Sequence, residues 1–116
     1  MALPTTTFKP ARRDITIYAG ADFARAWQIR INGELLSLAG ITADAELLLG
    51  GVRVPLNKQV DEATDTIHVW LHRSETRLLE AGTGTWDLYL IENDVAMPYL
   101  RGKVTVETTA TVVESV

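Results

Sequence analysis

Two histidines in a strand-like stretch are the first candidates for chemistry. His68 and His72 form an H-x-x-x-H pair, which on a helix would place two zinc ligands on one face. The surrounding stretch TIHVWLH alternates between apolar and polar residues, a pattern that indicates a strand. Four residues along a strand separate the two rings by roughly 13 Å, too far to share one metal ion. The sequence therefore predicts two polar positions on a sheet rather than a zinc site.

Two further features are candidate sites, the acidic stretch DEATD at 61–65 and Ser74 near His72, and neither predicts a metal or catalytic site. DEATD lacks the alternating oxygen donors and central glycine of an EF-hand calcium loop, so we expect a solvated turn. Ser74 lies two residues from His72, but nothing suggests an orienting acid or an oxyanion hole, and a helix cap explains it better. Asp87 interrupts an apolar run and is expected to accept hydrogen bonds. We therefore expect no enzyme, no catalytic residue, no cofactor and no metal site.

Length and composition indicate one ordinary globular domain. The chain has 116 residues, of which 47% are hydrophobic and 22% are charged, enough to bury a single core. The net charge of −4 argues against a nucleic-acid partner, which would favour a basic surface. The sequence holds no cysteine and no run of about 18 apolar residues, so we expect neither disulfides nor a membrane helix. The N-terminus also lacks the apolar segment of a classical export signal.

The elements that would position these side chains are mostly short strands. ITIY at 15–18 and FARAWQIRI at 23–31 are two of them, and only Arg25 falls on the apolar face of the second. Asn32-Gly33 predicts a tight hairpin turn, because both residues tolerate positive φ. A second hairpin is predicted across 43–56, with its turn at two glycines.

The second half adds further strands and one helical piece. The stretch SETRLLEAG at 74–82 is predicted to be helical, with Ser74 as its N-cap and with Leu78 and Leu79 facing inward. Strands are predicted on either side of it, at 66–72 and at 85–92, and a last one follows at 99–107.

Seven to eight short strands, with turn signals every eight to twelve residues and one short helical turn, indicate an all-β fold. The prediction is an antiparallel immunoglobulin-like β-sandwich over 14–112, preceded by an extended N-terminal arm at 1–13 and followed by a C-terminal tail at 113–116. The predicted core residues are Phe23, Trp27, Ile29, Ile67, Val69, Trp86, Leu88, Leu90 and Val104.

Several large side chains alternate with the predicted core residues, on what should be the solvent side of their strands. Trp70 lies opposite Ile67, Val69 and Leu71, and Tyr89 and Ile91 lie opposite Trp86, Leu88 and Leu90. Apolar patches on a sheet usually mark an interface, so we predict that Trp70, Tyr89 and Ile91, with His68 and His72, contact another chain. The alternative is that the two faces are inverted and these residues form the core.

Two stretches resemble a known family. WDLYL, a short polar turn and YLRGKVTV, within 82–106, resemble the last hairpin of the small immunoglobulin-like virion proteins of tailed bacteriophages. Among them, the chain resembles the N-terminal domain of phage baseplate upper proteins, since DITIYAGADFARAWQIRINGELLSLAGITADAELLL is similar to the opening of that family. The resemblance spans about 14–112 and implies assembly in many symmetric copies.

The resemblance implies a non-enzymatic structural protein of a tailed-phage virion. It would be a tail, baseplate or collar component that mediates subunit assembly or fibre attachment, made in the bacterial host cytoplasm. Its partners would be other virion proteins and copies of itself in a symmetric homo-oligomer, with no nucleic acid and no membrane. The Thr/Pro-containing arm and the β-prone tail would suit strand addition to a neighbour. A capsid decoration protein is one alternative, and a carbohydrate-binding module that uses Trp70 as a stacking platform is another.

Overall fold

Short strands make up most of the protein. The structure, a computed structural model, describes residues 10–109. These residues form eleven strands and one short helix: β1 (Ala11–Arg12), β2 (Ile15–Tyr18), β3 (Phe23–Trp27), β4 (Arg30–Ile31), β5 (Glu34–Leu35), β6 (Thr42–Leu49), β7 (Val52–Pro55), β8 (Asn57–Asp61), β9 (Thr66–Leu71), α1 (Arg73–Thr76), β10 (Gly82–Glu92) and β11 (Val95–Glu107).

The strands form two main sheets that enclose one core. The large sheet has the order β1-β11-β10-β6-β7, with β2 also paired to β11, and the small sheet has the order β3-β9-β8. Strands β4 and β5 form a separate hairpin. The sheets face each other, because buried side chains of β9 and β10 belong to one cluster and the rings of Trp27 and Trp86 stack with centroids 5.3 Å apart. The predicted all-β sandwich is confirmed.

The pairing differs from the prediction at the N-terminus. β1 and β2 both run parallel to β11, whereas the other strand pairs of the described residues are antiparallel. Two residues of the predicted arm, Ala11 and Arg12, therefore belong to the large sheet. Residues 1–9 of the arm and the tail at 113–116 lie outside the described residues.

The core is built from alternate residues of the long strands. Of the nine predicted core residues, eight are buried, and Trp27 is partly exposed while packed against the core. The interior also takes up side chains of connecting segments, which the sequence pattern did not single out: Leu36, Leu38, Ile41 and Leu56. These residues belong to the same hydrophobic cluster as the strand residues.

Two turns follow directly from their residue types. Asn32 and Gly33 have φ values of 52° and 82°, as the predicted β4–β5 hairpin requires. Asn93 and Asp94, with φ values of 51° and 66°, turn β10 into β11 in the same left-handed conformation. Asn and Asp are among the few residues other than glycine that adopt it readily.

A glycine and a tryptophan fix the N-terminal strands. Gly102 of β11 pairs with Trp86 of β10, and a Cβ at Gly102 would overlap the carbonyl oxygen of Arg13. That carbonyl accepts a 2.6 Å hydrogen bond from the indole nitrogen of Trp86. Beside it, the Asp14 carboxylate accepts from the Lys103 backbone N–H at 2.9 Å, which lowers the pKa of Asp14. The connection between β1 and β2 is thus attached to the sheet by the side chains of Trp86 and Asp14.

The predicted strand at 23–31 is interrupted. β3 ends at Trp27, which pairs with Ile67 near the start of β9. β9 therefore provides no partner for the residues that follow Trp27. Arg30–Ile31 pairs locally in the β4–β5 hairpin instead. Arg25 reaches solvent as expected, and its guanidinium lies 4.9 Å from the centre of the Phe23 ring.

The helix prediction at 74–82 was too long and began at the wrong residue. α1 spans four residues, and His72 rather than Ser74 is its N-cap. The buried Thr76 hydroxyl donates to the carbonyl of Ala21 at 2.7 Å and accepts from the backbone N–H of Gly20 at 3.1 Å. These two hydrogen bonds attach the end of the helix to the β2–β3 connection.

The two leucines that follow the helix differ in their burial. Leu79 packs against the core, as predicted. Leu78 is 78% exposed, which contradicts its predicted inward orientation. Since the helical turn ends before these leucines, the helical spacing that would have placed both on one face no longer applies.

Candidate functional site

The acidic turn at 61–65 uses its carboxylates to hold a neighbouring turn. The carboxylate of Glu62 accepts from the backbone N–H of Gly40 at 2.6 Å, and that of Asp65 accepts from the N–H of Leu38 at 3.0 Å. These bonds fasten the 38–40 turn to the start of β9. Within residues 10–109, no group of three or more His, Cys, Asp or Glu side chains is arranged to hold a metal ion.

Ser74, His72 and Asp22 lie together at the start of the helix. The Nδ1 atom of His72 is 2.8 Å from the Ser74 hydroxyl, and its Nε2 atom is 3.9 Å from a carboxylate oxygen of Asp22. The residue types are those of a serine-hydrolase triad, and the sequence had not indicated Asp22 as the third member. The 3.9 Å separation is longer than a hydrogen bond.

The surrounding contacts are those of a helix cap. Nδ1 of His72 also accepts from the backbone N–H of Ser74 at 3.2 Å. The Glu75 carboxylate accepts from the N–H of His72 at 3.0 Å, which completes a capping box. Asp22 accepts from the backbone N–H of Arg73 at 2.7 Å. Each side chain thus satisfies a backbone donor at the helix start, and the cluster joins the β2–β3 connection to α1.

The five predicted interface residues occupy three separate places. Trp70 and His68 lie on the outer side of the small sheet, since Ile67, Val69 and Leu71 of the same strand are buried. Tyr89 and Ile91 lie on the outer side of the large sheet and are partly buried. His72 caps the helix. The prediction that these residues form a single surface is therefore wrong, because they belong to two opposite faces and one end of the sandwich.

The outer side of the large sheet is strongly charged around Asp87. Glu46 of β6 and Arg101 of β11 flank Asp87 as its cross-strand partners. Burial, and next the charge of Glu46, raises the pKa of Asp87, while Arg53 and Arg101 act in the opposite direction. Farther along β6, Asp44 forms a 3.4 Å ion pair with Lys58 of the small sheet. Tyr89 and Ile91 continue this charged face toward the β10–β11 turn.

An apolar cleft at one end of the sandwich was not expected from the sequence. It has a volume of about 410 Å³ and lies between the β6–β7 hairpin and the segment that follows α1. Val52 and Leu78 border it and are 61% and 78% exposed. Leu49, Val54, Leu79 and Ala81 form the rest of its apolar lining. The sequence signal was the pair of leucines beyond the helix, which had been assigned to the core.

No helix among the described residues has both the length and the apolar character to cross a membrane.

One solved phage domain shares this fold at low sequence identity, and two bacterial proteins give weaker matches. The N-terminal domain of ORF48 from phage TP901-1 is 14% identical, with a TM-score of 0.57, and the match covers 87% of this chain and 92% of that domain. InlP from Listeria monocytogenes is 18% identical, with a TM-score of 0.48, over 82% of this chain and 26% of that protein. The internalin-like protein lmo2027 from the same bacterium is 11% identical, with a TM-score of 0.43, over 86% of this chain and 28% of that protein.

The chain thus spans about a quarter of the length of the two Listeria proteins and nearly the whole of the phage domain. At 14% identity, the similarity to the phage domain shows a shared fold alone. No protein-family model matches the sequence, and a search of curated proteins finds no match.

Proposed function

We propose that this protein is a non-enzymatic structural subunit of a tailed-phage virion, in a tail, baseplate or collar position. The observation that carries the proposal is the match to the TP901-1 ORF48 domain, which covers 87% of this chain and 92% of that domain. A match over nearly the full length of both chains is what two versions of one building block would give. The resemblance of the final hairpin to virion proteins supports the same assignment independently.

The apolar cleft offers the best contact surface for a neighbouring virion protein. Val52 and Leu78 leave apolar side chains in water at its rim, and such exposure is typical of a surface that another chain covers. β7, which contributes Val52 and Val54, is also an edge of the large sheet. Its unpaired backbone groups can extend the contact by accepting a strand, within the limit that Pro55 sets.

The contacts of the His72 cluster support a non-enzymatic role. Its polar atoms are engaged in capping α1 and in holding Asp22 against Arg73. Neither His72 nor Ser74 lines any of four clefts found on the described residues. A purified sample should therefore not hydrolyse p-nitrophenyl esters faster than a His72→Ala control.

Mass spectrometry of purified particles tests the proposal directly. Particles released by cells that carry the gene are banded on a density gradient, and their tails are separated from their heads. The protein should be found in the tail fraction. Its presence in heads would favour the capsid-decoration alternative, and its absence from both fractions would contradict a virion role.

A single substitution then tests the contact surface. Leu78→Glu should leave stability within about 0.5 kcal/mol of wild type, because the side chain is exposed, and should lower incorporation into particles. Tyr18→Glu is the matched control, since Tyr18 is 48% exposed and lies on β2, across the large sheet from β7. Equal incorporation of both variants would show that the cleft is not the contact surface.

A further inference from the structure

The outer side of the small sheet carries two matched rows of side chains. In the first row, Trp70 of β9 lies between Ala24 of β3 and Asn57 of β8. In the second row, His68 lies between an alanine and a glutamine, Ala26 and Gln59. Each row thus reads small residue, aromatic ring, carboxamide. We call these six residues the ring-and-amide face.

The geometry of this face leaves both rings accessible from one side. Ala24 and Ala26 are exposed and too short to cover the rings, and they help to line an open groove of about 370 Å³ with His68 and Trp70. Two residues along a strand place the rings roughly 6.6 Å apart. The carboxamides follow the opposite side of the rings along β8.

The face is preorganised at the Asn57 end. The Asn57 side-chain nitrogen donates to the Glu75 carboxylate at 2.9 Å, and Glu75 is itself held by the backbone N–H of His72 at 3.0 Å. The amide oxygen of Asn57 is therefore held in a fixed orientation beside Trp70. Fixing a polar group before binding reduces the entropy lost on association.

Ionised groups are absent from the six positions, in contrast to the outer side of the large sheet. The one cation that lines the groove, Arg25, is turned away, since its guanidinium lies over the Phe23 ring and donates to the Ala24 carbonyl at 2.7 Å. Flat rings and neutral amides suit a ligand with an apolar face and many hydroxyl groups. A pyranose ring has this chemistry, with C–H bonds on its faces and hydroxyls around its rim.

We propose that the ring-and-amide face binds a neutral oligosaccharide that lies along β9. Successive sugar rings stack on Trp70 and His68, and their hydroxyls bond to Asn57 and Gln59. A protein partner fits this face less well. The cores of protein interfaces are mainly apolar and rich in large side chains, whereas Trp70 is the only large apolar side chain among the six. This inference is independent of the proposed virion role, since a glycan site is compatible with other settings.

Nuclear magnetic resonance of the ¹⁵N-labelled full-length protein tests the site. The probes are maltohexaose, cellohexaose and the hexamer of N-acetylglucosamine, followed by a printed array of neutral and sialylated glycans. At least one neutral glycan should bind, and it should shift the backbone amide signals of β9 and β8 together with the indole signal of Trp70. Neutral glycans should bind more tightly than sialylated ones of the same core.

Three variants separate this site from a general surface effect. Trp70→Ala should weaken affinity at least about fivefold through lost stacking, and Asn57→Ala or Gln59→Ala about threefold to tenfold through a lost hydrogen bond. Tyr18→Ala removes an exposed aromatic ring elsewhere and should leave affinity unchanged. Thermal melting of each variant verifies that the fold is retained.

Several results would overturn the proposal. They are failure of every neutral glycan on the array to bind, signal changes confined to other parts of the chain, and equal affinities of the Trp70→Ala and wild-type proteins. A loss of self-association on Trp70→Ala, measured by analytical ultracentrifugation without sugar, would instead assign the face to a second copy.

Discussion

Replacing Gly102 by alanine should destabilise the protein through one steric contact. The new Cβ would overlap the carbonyl oxygen of Arg13 and lie 2.6 Å from the carbonyl carbon, whereas ordinary contacts begin near 3.4 Å. The neighbour is backbone rather than a flexible side chain, so the β1–β2 junction must move by more than about 0.8 Å, because the carbonyl oxygen lies closer to the new Cβ than the carbon does.

That displacement strains three hydrogen bonds at once. The backbone N–H of Arg13 donates to Arg101 at 2.8 Å, its carbonyl accepts from Trp86 at 2.6 Å, and Lys103 donates to Asp14 at 2.9 Å. At about 1 kcal/mol each, their loss amounts to about 3 kcal/mol. Alanine recovers about 0.5–1 kcal/mol by reducing the entropy of the unfolded chain. The expected net cost is about 2 kcal/mol, which corresponds to a fall in Tm of about 10 °C.

Urea unfolding and thermal melting, both followed by circular dichroism, measure this cost. Lys103→Ala is a matched control on the next residue of β11 and should change stability by less than about 0.5 kcal/mol, since its side chain is exposed. A Trp86→Phe substitution removes the indole donor together with part of the buried ring. Gly102→Ala already displaces the carbonyl acceptor of the indole. The double variant should therefore lose less stability than the sum of the losses of the two single variants. Wild-type stability of Gly102→Ala, or full additivity with Trp86→Phe, would refute the reasoning.

Four further substitutions test other parts of the structure. Asp87→Asn should raise Tm at neutral pH, with a gain in the free energy of unfolding of less than about 1 kcal/mol. Burial and Glu46 raise the pKa of Asp87, so its ionised form is disfavoured in the folded state. Melting curves across pH should show this gain shrink as pH falls through the folded pKa toward the ordinary value of 3.8, where the carboxyl group becomes neutral in both states. Trp86→Ala should cost about 3–5 kcal/mol and Trp27→Ala clearly less, since only Trp86 is fully buried; equal costs in urea unfolding would contradict this. Thr76→Val should cost about 1–3 kcal/mol in the same assay, because it leaves buried backbone groups without their hydroxyl partner; an unchanged midpoint would mean that water replaces the hydroxyl.

Much of the strand structure can be predicted from local pattern alone. The alternation in TIHVWLH correctly identifies the buried side of β9, and the Asn32-Gly33 pair correctly marks the first hairpin. Both succeed because the information is local: side chains of a strand alternate with a period of two, and a tight turn needs residues that tolerate positive φ.

The limits of α1 could not be predicted in this way. Its cap requires Asp22, 51 residues away in sequence from its partner Arg73, and its end requires Thr76 to bond with the β2–β3 connection. Local helix propensity favoured a longer helix through Leu78. The tertiary bonds outweigh that preference, because propensity differences are only a few tenths of a kcal/mol per residue and a buried hydroxyl that loses its partners costs about 1–3 kcal/mol.

The alternation in the sequence predicted that Trp70 and Tyr89 lie on the outer side of their strands, with inverted faces as the alternative, and the fold confirms the first arrangement. Their location on opposite faces follows from the folded structure, since Trp70 belongs to the small sheet and Tyr89 to the large one. The two-residue period relates side chains within one strand, whereas the sheet that a strand joins depends on hydrogen bonds to segments far away in the chain, so the local pattern could not predict this. The same long-range pairing brings Asn57 and Gln59 of β8 beside Trp70 and His68 of β9, so the ring-and-amide face exists only in the folded protein.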